Sequence, residues 1–248
     1  VPQLDLTGAT IVFDLDGTLV DTAPDLANAL NDVLARRGHE TVTPETIRHA
    51  VGHGARAMIE EALRRAGVTD DIDRMLSEFL VHYEANITAE SRPFPGAVAT
   101  LDVLAGAGAR LAVCTNKRAY LSRKLLADLG LHSYFHAIAG RDTYAVSKPD
   151  PGHLTQTIAT AGGDPGRAVM IGDSMTDLLA AKGAGVPSIL VRFGYAADSL
   201  DGIAPNSTID HFDELVPTAA RLLDEARLGA STHRQAGRAR SEGVTDLP

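Results

Sequence analysis

The chain has 248 residues, 44% apolar and 22% charged, the balance of an ordinary globular protein with one large domain or two. Its formal charge of −9 argues against affinity for nucleic acid or an anionic membrane, no run approaches the roughly twenty apolar residues of a membrane span, and no basic-then-apolar leader opens it, so a cytosolic setting is expected. A single cysteine, Cys114, excludes an internal disulfide framework and a cysteine-rich zinc site; acidity does not exclude an anionic substrate, because a local metal and lysine can invert the field.

The apolar run from Ala9 to Phe13 reads as a strand buried on both faces. It ends in Asp14-Leu15-Asp16-Gly17-Thr18, two acids at i, i+2 where an open α/β sheet binds its ligands. Extended backbone past Phe13 points both carboxylates the same way, and each raises the other's affinity for a proton unless a cation intervenes. The pair is open to three readings: a divalent metal site of hard oxygen ligands, an acid–base pair, or a solvated strand end before a turn.

The pattern then becomes helical. Pro24 fits a first turn with Asp21 or Thr22 near the N-cap; Leu26, Leu30, Val33 and Leu34 follow at helical spacing, and Gly38 is a stop. Pro44 opens a short helix ending near Gly52. Gly54 leads into a third, carrying Ile59, Ala62, Leu63 and Ala66 and stopping at Gly67. A fourth covers residues 70–87, with Ile72, Met75, Leu76, Phe79, Leu80 and Tyr83 as a stripe whose simplest reading is core packing in a small bundle.

The stretch Arg92-Pro93-Phe94-Pro95-Gly96 ends this region. Strands are predicted at 110–115, 137–139, 167–171, 188–191 and, more weakly, 207–209. The helices between them are predicted at 97–105, 119–129, 151–161 and 175–184. This alternation predicts a doubly wound α/β fold with a parallel sheet and a helical insert after the first strand. The expected division is residues 1–21 and 92–228 as the core, 22–91 as a helical cap, and 229–248 as a loose polar tail. The last helix is expected at 211–227, divided at Pro217.

Three further strand ends carry chemistry. Thr115-Asn116 offers a hydroxyl and an amide to phosphate oxygens, or simply an N-cap. Ser147-Lys148-Pro149-Asp150-Pro151 places a lysine on a stiffened approach to a helix. Gly172-Asp173-Ser174-Met175-Thr176-Asp177 holds two acids four apart, able to share a helix face or one loop rim, or to serve as an N-cap and a first-turn charge.

Together, D-x-D-G-T, T-N, K-P-x-P and G-D-S-x-x-D resemble, in order, the four motifs of the haloacid dehalogenase-like superfamily, over about residues 10–227. Val20-Asp21-Thr22-Ala23-Pro24-Asp25-Leu26, Val51-Gly52-His53-Gly54-Ala55-Arg56 and Val191-Arg192-Phe193-Gly194-Tyr195 look like its phosphoglycolate phosphatases. The resemblance implies Asp14 as nucleophile, Asp16 as general acid–base, Thr115 and Asn116 with the Gly17 and Thr18 amides as phosphate-binding groups, and Lys148 offsetting charge on Asp14 and the phosphate. It implies magnesium held by Asp14, the Asp16 carbonyl and Asp173, with Asp177 as a supporting or alternate ligand. The implied substrate is a small phosphorylated metabolite met by a closing helical cap. Gly52, His53 and Gly54, candidate substrate contacts, make a flexible break between two cap helices, and Arg56 just after it either brings a guanidinium to a substrate carboxylate or is a solvated helix residue. An aspartate at position 16 favours phosphatase over dehalogenase. The competing readings are another small-metabolite phosphatase, a pyrophosphatase or a phosphosugar mutase on the same scaffold, a receiver-like signalling domain, and a non-catalytic binding module. Monomer and homodimer both stay open.

Overall fold

The computed structural model describes residues 4–195 and 202–241, and for 229–241 the backbone alone. The chain enters on β1 (Thr10–Phe13) and turns into β2 (Val20–Asp21). It then runs through α1 (Ala23–Arg36), α2 (Pro44–Val51), α3 (Ala55–Ala66) and α4 (Ile72–Ala85), and returns on β3 (Arg92–Pro93). Helix and strand then alternate: α5 (Ala97–Gly106), β4 (Arg110–Cys114), α6 (Ala119–Asp128), β5 (Phe135–Ala139), α7 (Pro151–Thr160), β6 (Ala168–Gly172), α8 (Met175–Ala184), β7 (Ser188–Val191), β8 (Ser207–Ile209) and α9 (Leu215–Ser241).

Six strands form a parallel sheet in the order β5-β4-β1-β6-β7-β8. β1 pairs with β4 on one side and β6 on the other, with Phe13 opposite both Val113 and Ile171. The chain fills one half of the sheet from β1 outward, then crosses to fill the other, so the direction of winding reverses at β1. That reversal opens a crevice at the carboxyl ends of the central strands. The period of two along β1 divides the core. Ile11 and Phe13 join one apolar cluster that continues into α1–α4, while Val12 joins a second beneath α7 and α8. Both faces are covered, which explains why the strand reads as an unbroken apolar run.

The insert is stitched to the sheet at its base. β2 and β3 pair antiparallel, Val20 opposite Pro93 and Asp21 opposite Arg92. Buried Asp25, in the first turn of α1, accepts hydrogen bonds from the Glu90 and Ser91 amides and from Ser91 Oγ at 2.6 Å. Helix ends fall where the local chemistry puts them. Thr22 precedes α1 with Pro24 in its first turn, Gly67 closes α3 in the left-handed region, and the Asp71 side chain caps α4 through the Arg74 amide. That cap starts α4 at Ile72 rather than at residue 70.

Two expectations at the C-terminus are corrected. Pro217 is the third residue of α9, where its missing N–H removes no intrahelical bond, so it does not divide the helix. The helix also runs past Arg227 to Ser241. Ala230, Arg234, Gln235 and Ala236 are good helix formers, and the lack of an apolar period removes a packing face, not the helical backbone. Residues 242–248 of the expected tail lie outside the described residues. No helix among the described residues is long and apolar enough to cross a membrane.

Candidate active site

The chain stays in the sheet one residue beyond β1, because the Asp14 amide donates to the Ile171 carbonyl at 2.9 Å. It then turns tightly at Gly17, whose φ of +80° favours glycine. Space demands glycine too: a Cβ there would lie 2.5 Å from Asp173 Oδ2 and 2.7 Å from the Tyr195 ring.

This turn brings Asp14 against the loop after β6. Asp14, Asp173 and Asp177 are all buried and each offers an oxygen within 4.8 Å of the others. Donors aim each carboxylate. Asp14 Oδ1 accepts from the Leu15 amide at 2.7 Å. Asp173 accepts from Thr18 Oγ1 at 2.9 Å and from the Tyr195 amide at 2.7 Å. Asp177, in the first turn of α8, accepts at Oδ2 from the amide and hydroxyl of Ser174, the residue that precedes the helix. Buried Lys148 bridges the cluster, its Nζ 3.0 Å from Asp14 Oδ1 and 2.6 Å from Asp177 Oδ1.

Three buried carboxylates thus lie together, and the one ammonium among them pairs with two, Asp14 and Asp177. Burial, with added repulsion from Asp177 and Asp14, pushes Asp173 up to about 8. Burial pushes Asp14 up to about 6 despite the nearby Lys148. For Lys148 burial alone would favour the neutral amine, but Asp14 and Asp177 hold its pKa well above the usual value and keep it charged. The cluster is one cation short of balance, as an all-oxygen site for a hard divalent ion would be.

The family model for haloacid dehalogenase-like hydrolases matches residues 11–191, the span that holds every one of these groups. The chain belongs to the haloacid dehalogenase-like hydrolase family. It is 49% identical over 215 residues to a phosphoglycolate phosphatase of Agrobacterium fabrum, covering 86% of this chain and 92% of the relative. It is 45% identical to a phosphoglycolate phosphatase of Caulobacter vibrioides, covering 88% and 94%. In fold it is similar to the crystal structure of a predicted phosphoglycolate phosphatase from Haemophilus somnus 129pt, with a TM-score of 0.80, 26% identity, and 87% and 99% of the two chains covered. These relatives place it with the phosphatases of the family.

The other predicted site residues of this hydrolase fall around the cluster. Asp16 does not join the three acids. It lines a cavity of about 520 Å³ between insert and sheet. Its carboxylate accepts from Thr22 Oγ1 at 2.8 Å and from Lys117 Nζ at 3.0 Å. Thr115 is buried at the end of β4. Asn116 donates its amide hydrogens to the Lys148 and Gly52 carbonyls at 3.1 and 3.2 Å, so it ties the insert to the core. The Gly17 and Thr18 amides donate within the turn, to the Val20 and Leu15 carbonyls.

The break between α2 and α3 lies over the strand ends. Besides the Asn116 bond, Gly52 approaches the Ser174 side chain, and Gly54 approaches the Arg141 guanidinium. His53 is exposed. Arg56 lines the cavity, but its guanidinium pairs with Asp73 and reaches Glu60 at 3.9 Å.

Three groups take part in the site in ways that the sequence did not assign to them. Lys117 is buried, donates to Tyr83 Oη at 2.7 Å, and lies 4.4 Å from that ring's centre, so it joins α4 to Asp16. Tyr83, stacked on Phe79, is thus both a packing residue and a wall of the site. Tyr195 holds Asp173 through its amide, while its hydroxyl donates to Asp21 and accepts from the Thr22 and Ala23 amides at the root of the insert. A lysine directly after Thr115-Asn116 was the available signal for Lys117.

Proposed function

We propose that the chain is a cytosolic, magnesium-dependent phosphomonoesterase that hydrolyses 2-phosphoglycolate to glycolate and phosphate through a phosphoryl group carried on Asp14. The observation that carries this reading is the buried cluster of Asp14, Asp173 and Asp177 around Lys148 at the carboxyl ends of β1 and β6. The names borne by the relatives at 49% and 45% identity support the substrate.

The donor set fits a hard cation: all ligands are oxygens, and one lysine balances only part of the charge. Magnesium is the first choice because it uses few carboxylates and tolerates substrate oxygens beside them. Asp14, Asp173 and the Asp16 carbonyl would hold it, with Asp177 aiming Lys148. When bound, it offsets the negative charge of the phosphoryl group.

An Asp14 oxygen attacks phosphorus in line; the new O–P bond forms as the ester P–O bond breaks. Asp16 delivers a proton to the departing alkoxide, then removes one from the water that attacks phosphorus and frees Asp14. Lys148 and Thr115 steady the phosphoryl oxygens. The helices of residues 22–91 act as a cap that keeps bulk water from the acyl phosphate.

A phosphometabolite panel ranked by kcat/KM, with and without magnesium, tests this reading. We expect 2-phosphoglycolate to lead, calcium to substitute poorly because its looser coordination disturbs in-line attack, and chelation to abolish turnover. A different phosphomonoester far ahead would overturn the substrate, and full activity after exhaustive chelation would overturn the metal.

A further inference from the structure

The cavity beside Asp16 has an unusual charge balance. The whole chain carries 23 basic and 32 acidic side chains, yet this wall presents Arg56, Lys117, Arg118 and Arg141 against only Asp16 and Asp142. Two of the four cations are already engaged: Arg56 by Asp73, and Lys117 by Asp16. Arg118 and Arg141 have no ion-pair partner among the described residues.

Their loops are built to hold them there. The Arg141 amide donates to the Lys117 carbonyl at 2.9 Å, and the Ala119 amide donates to Asp142 Oδ1 at 2.8 Å. Gly140 admits no side chain, since a Cβ would lie 2.3 Å from the Ala119 nitrogen, so the two backbones are in contact. Buried His153 secures the same loop from below through the Gly140 carbonyl at 3.2 Å. From this platform Arg141 crosses toward the insert, its Nη1 3.3 Å from where a Cβ on Gly54 would lie. Asp16, the acid for the leaving oxygen, lines the same cavity, so a departing alcohol held beside Asp16 lies in the space these arginines border.

We propose that Arg141, with Arg118 on the adjoining loop, forms an anion subsite that binds the charged group on the leaving-group side of the substrate. For 2-phosphoglycolate, the reading on which this rests, that group is the carboxylate. A planar guanidinium matches a carboxylate with two parallel hydrogen bonds, and a fixed backbone platform leaves less freedom to lose on binding. Recognition thus falls to the core loops rather than to Arg56, whose guanidinium is already paired within the insert.

The test compares kcat/KM for 2-phosphoglycolate and for ethyl phosphate, the same ester with a methyl group in place of the carboxylate. Both are measured on one preparation of each variant, so any loss of folded enzyme cancels in the ratio. Arg141→Ala should lower the ratio roughly ten- to a hundredfold, mainly through KM, with Arg118→Ala in the same direction. Arg141→Lys should fall between Arg141→Ala and wild type, and Arg56→Ala should move the ratio less than Arg141→Ala. A ratio unchanged in both alanine variants, with wild type still preferring 2-phosphoglycolate, overturns the subsite and leaves the substrate standing. A wild-type enzyme with no preference for 2-phosphoglycolate over ethyl phosphate overturns both.

Discussion

His153 shows how much a single buried side chain holds in this site. Its Nδ1 faces Cys114 Sγ at 3.5 Å while Nε2 faces the Gly140 carbonyl, so the neutral ring bridges the end of β4 to the Arg141 loop. Burial, aided by nearby Lys148, pushes its pKa down to about 4. The unfolded chain therefore takes up a proton near pH 6.5 that the folded one refuses. The stabilisation is complete above pH 6.5 and is lost as pH falls toward 4. We expect wild type to lose about 2 kcal/mol relative to His153→Gln between pH 7.5 and pH 5, measured by urea denaturation at each pH. A constant difference across that range would mean the ring is not held neutral. Asp14, Asp16, Asp173 and Asp177 were legible as candidates because each lies just past a strand end in a fixed local pattern, and Lys148 because two prolines stiffen its approach to α7. Lys117 and Tyr83 were not. A lysine carries no local signal of burial, the Tyr83 stripe has the period of any packed helix, and their partnership spans 34 residues.

Among elements, the insert depends on a few joints rather than on its helices alone. Asp25 takes three donors from the returning chain, the Glu90 amide and the buried amide and hydroxyl of Ser91. Replacing it with alanine leaves the two buried Ser91 donors without a partner, at a cost of about 3 kcal/mol. We expect Asp25→Ala to shift the denaturation midpoint accordingly and Asp25→Asn to shift it less; a loss below about 1 kcal/mol would show that the joint is not where the insert is anchored. Such joints are invisible in a single sequence, since Asp25 reads as an ordinary first-turn acid. The elements themselves were readable to within a residue or two wherever glycine, proline or a cap marks an end, as at Gly67 and Pro44. α9 is the exception: the apolar stripe ends at Arg227 and Gly229 follows, which predicts a stop, yet the helical backbone runs on to Ser241.

At the scale of the whole molecule, the doubly wound order was legible because strand and helix alternate after residue 96, and the reversal at β1 follows from it. What the order does not convey is which loops meet across the crevice. The motif loops after β1, β4 and β6 belong to neighbouring strands, whereas the contact of the Gly52–Gly54 break with Asn116, Ser174 and Arg141 depends on how the insert docks. An acidic chain thereby concentrates positive charge in one cavity and negative charge in one buried cluster, and the chemistry is placed where they adjoin. The proposed chemistry turns on Asp14 carrying the phosphoryl group. It is tested most directly by quenching the enzyme during turnover of 2-phosphoglycolate and reducing any acyl phosphate with borohydride, then reading residue 14 by peptide mass spectrometry. Conversion of Asp14 to homoserine is expected only when substrate and magnesium are both present. An unmodified Asp14 in samples that release phosphate at the normal rate, or a reduced acid at another position, would contradict it.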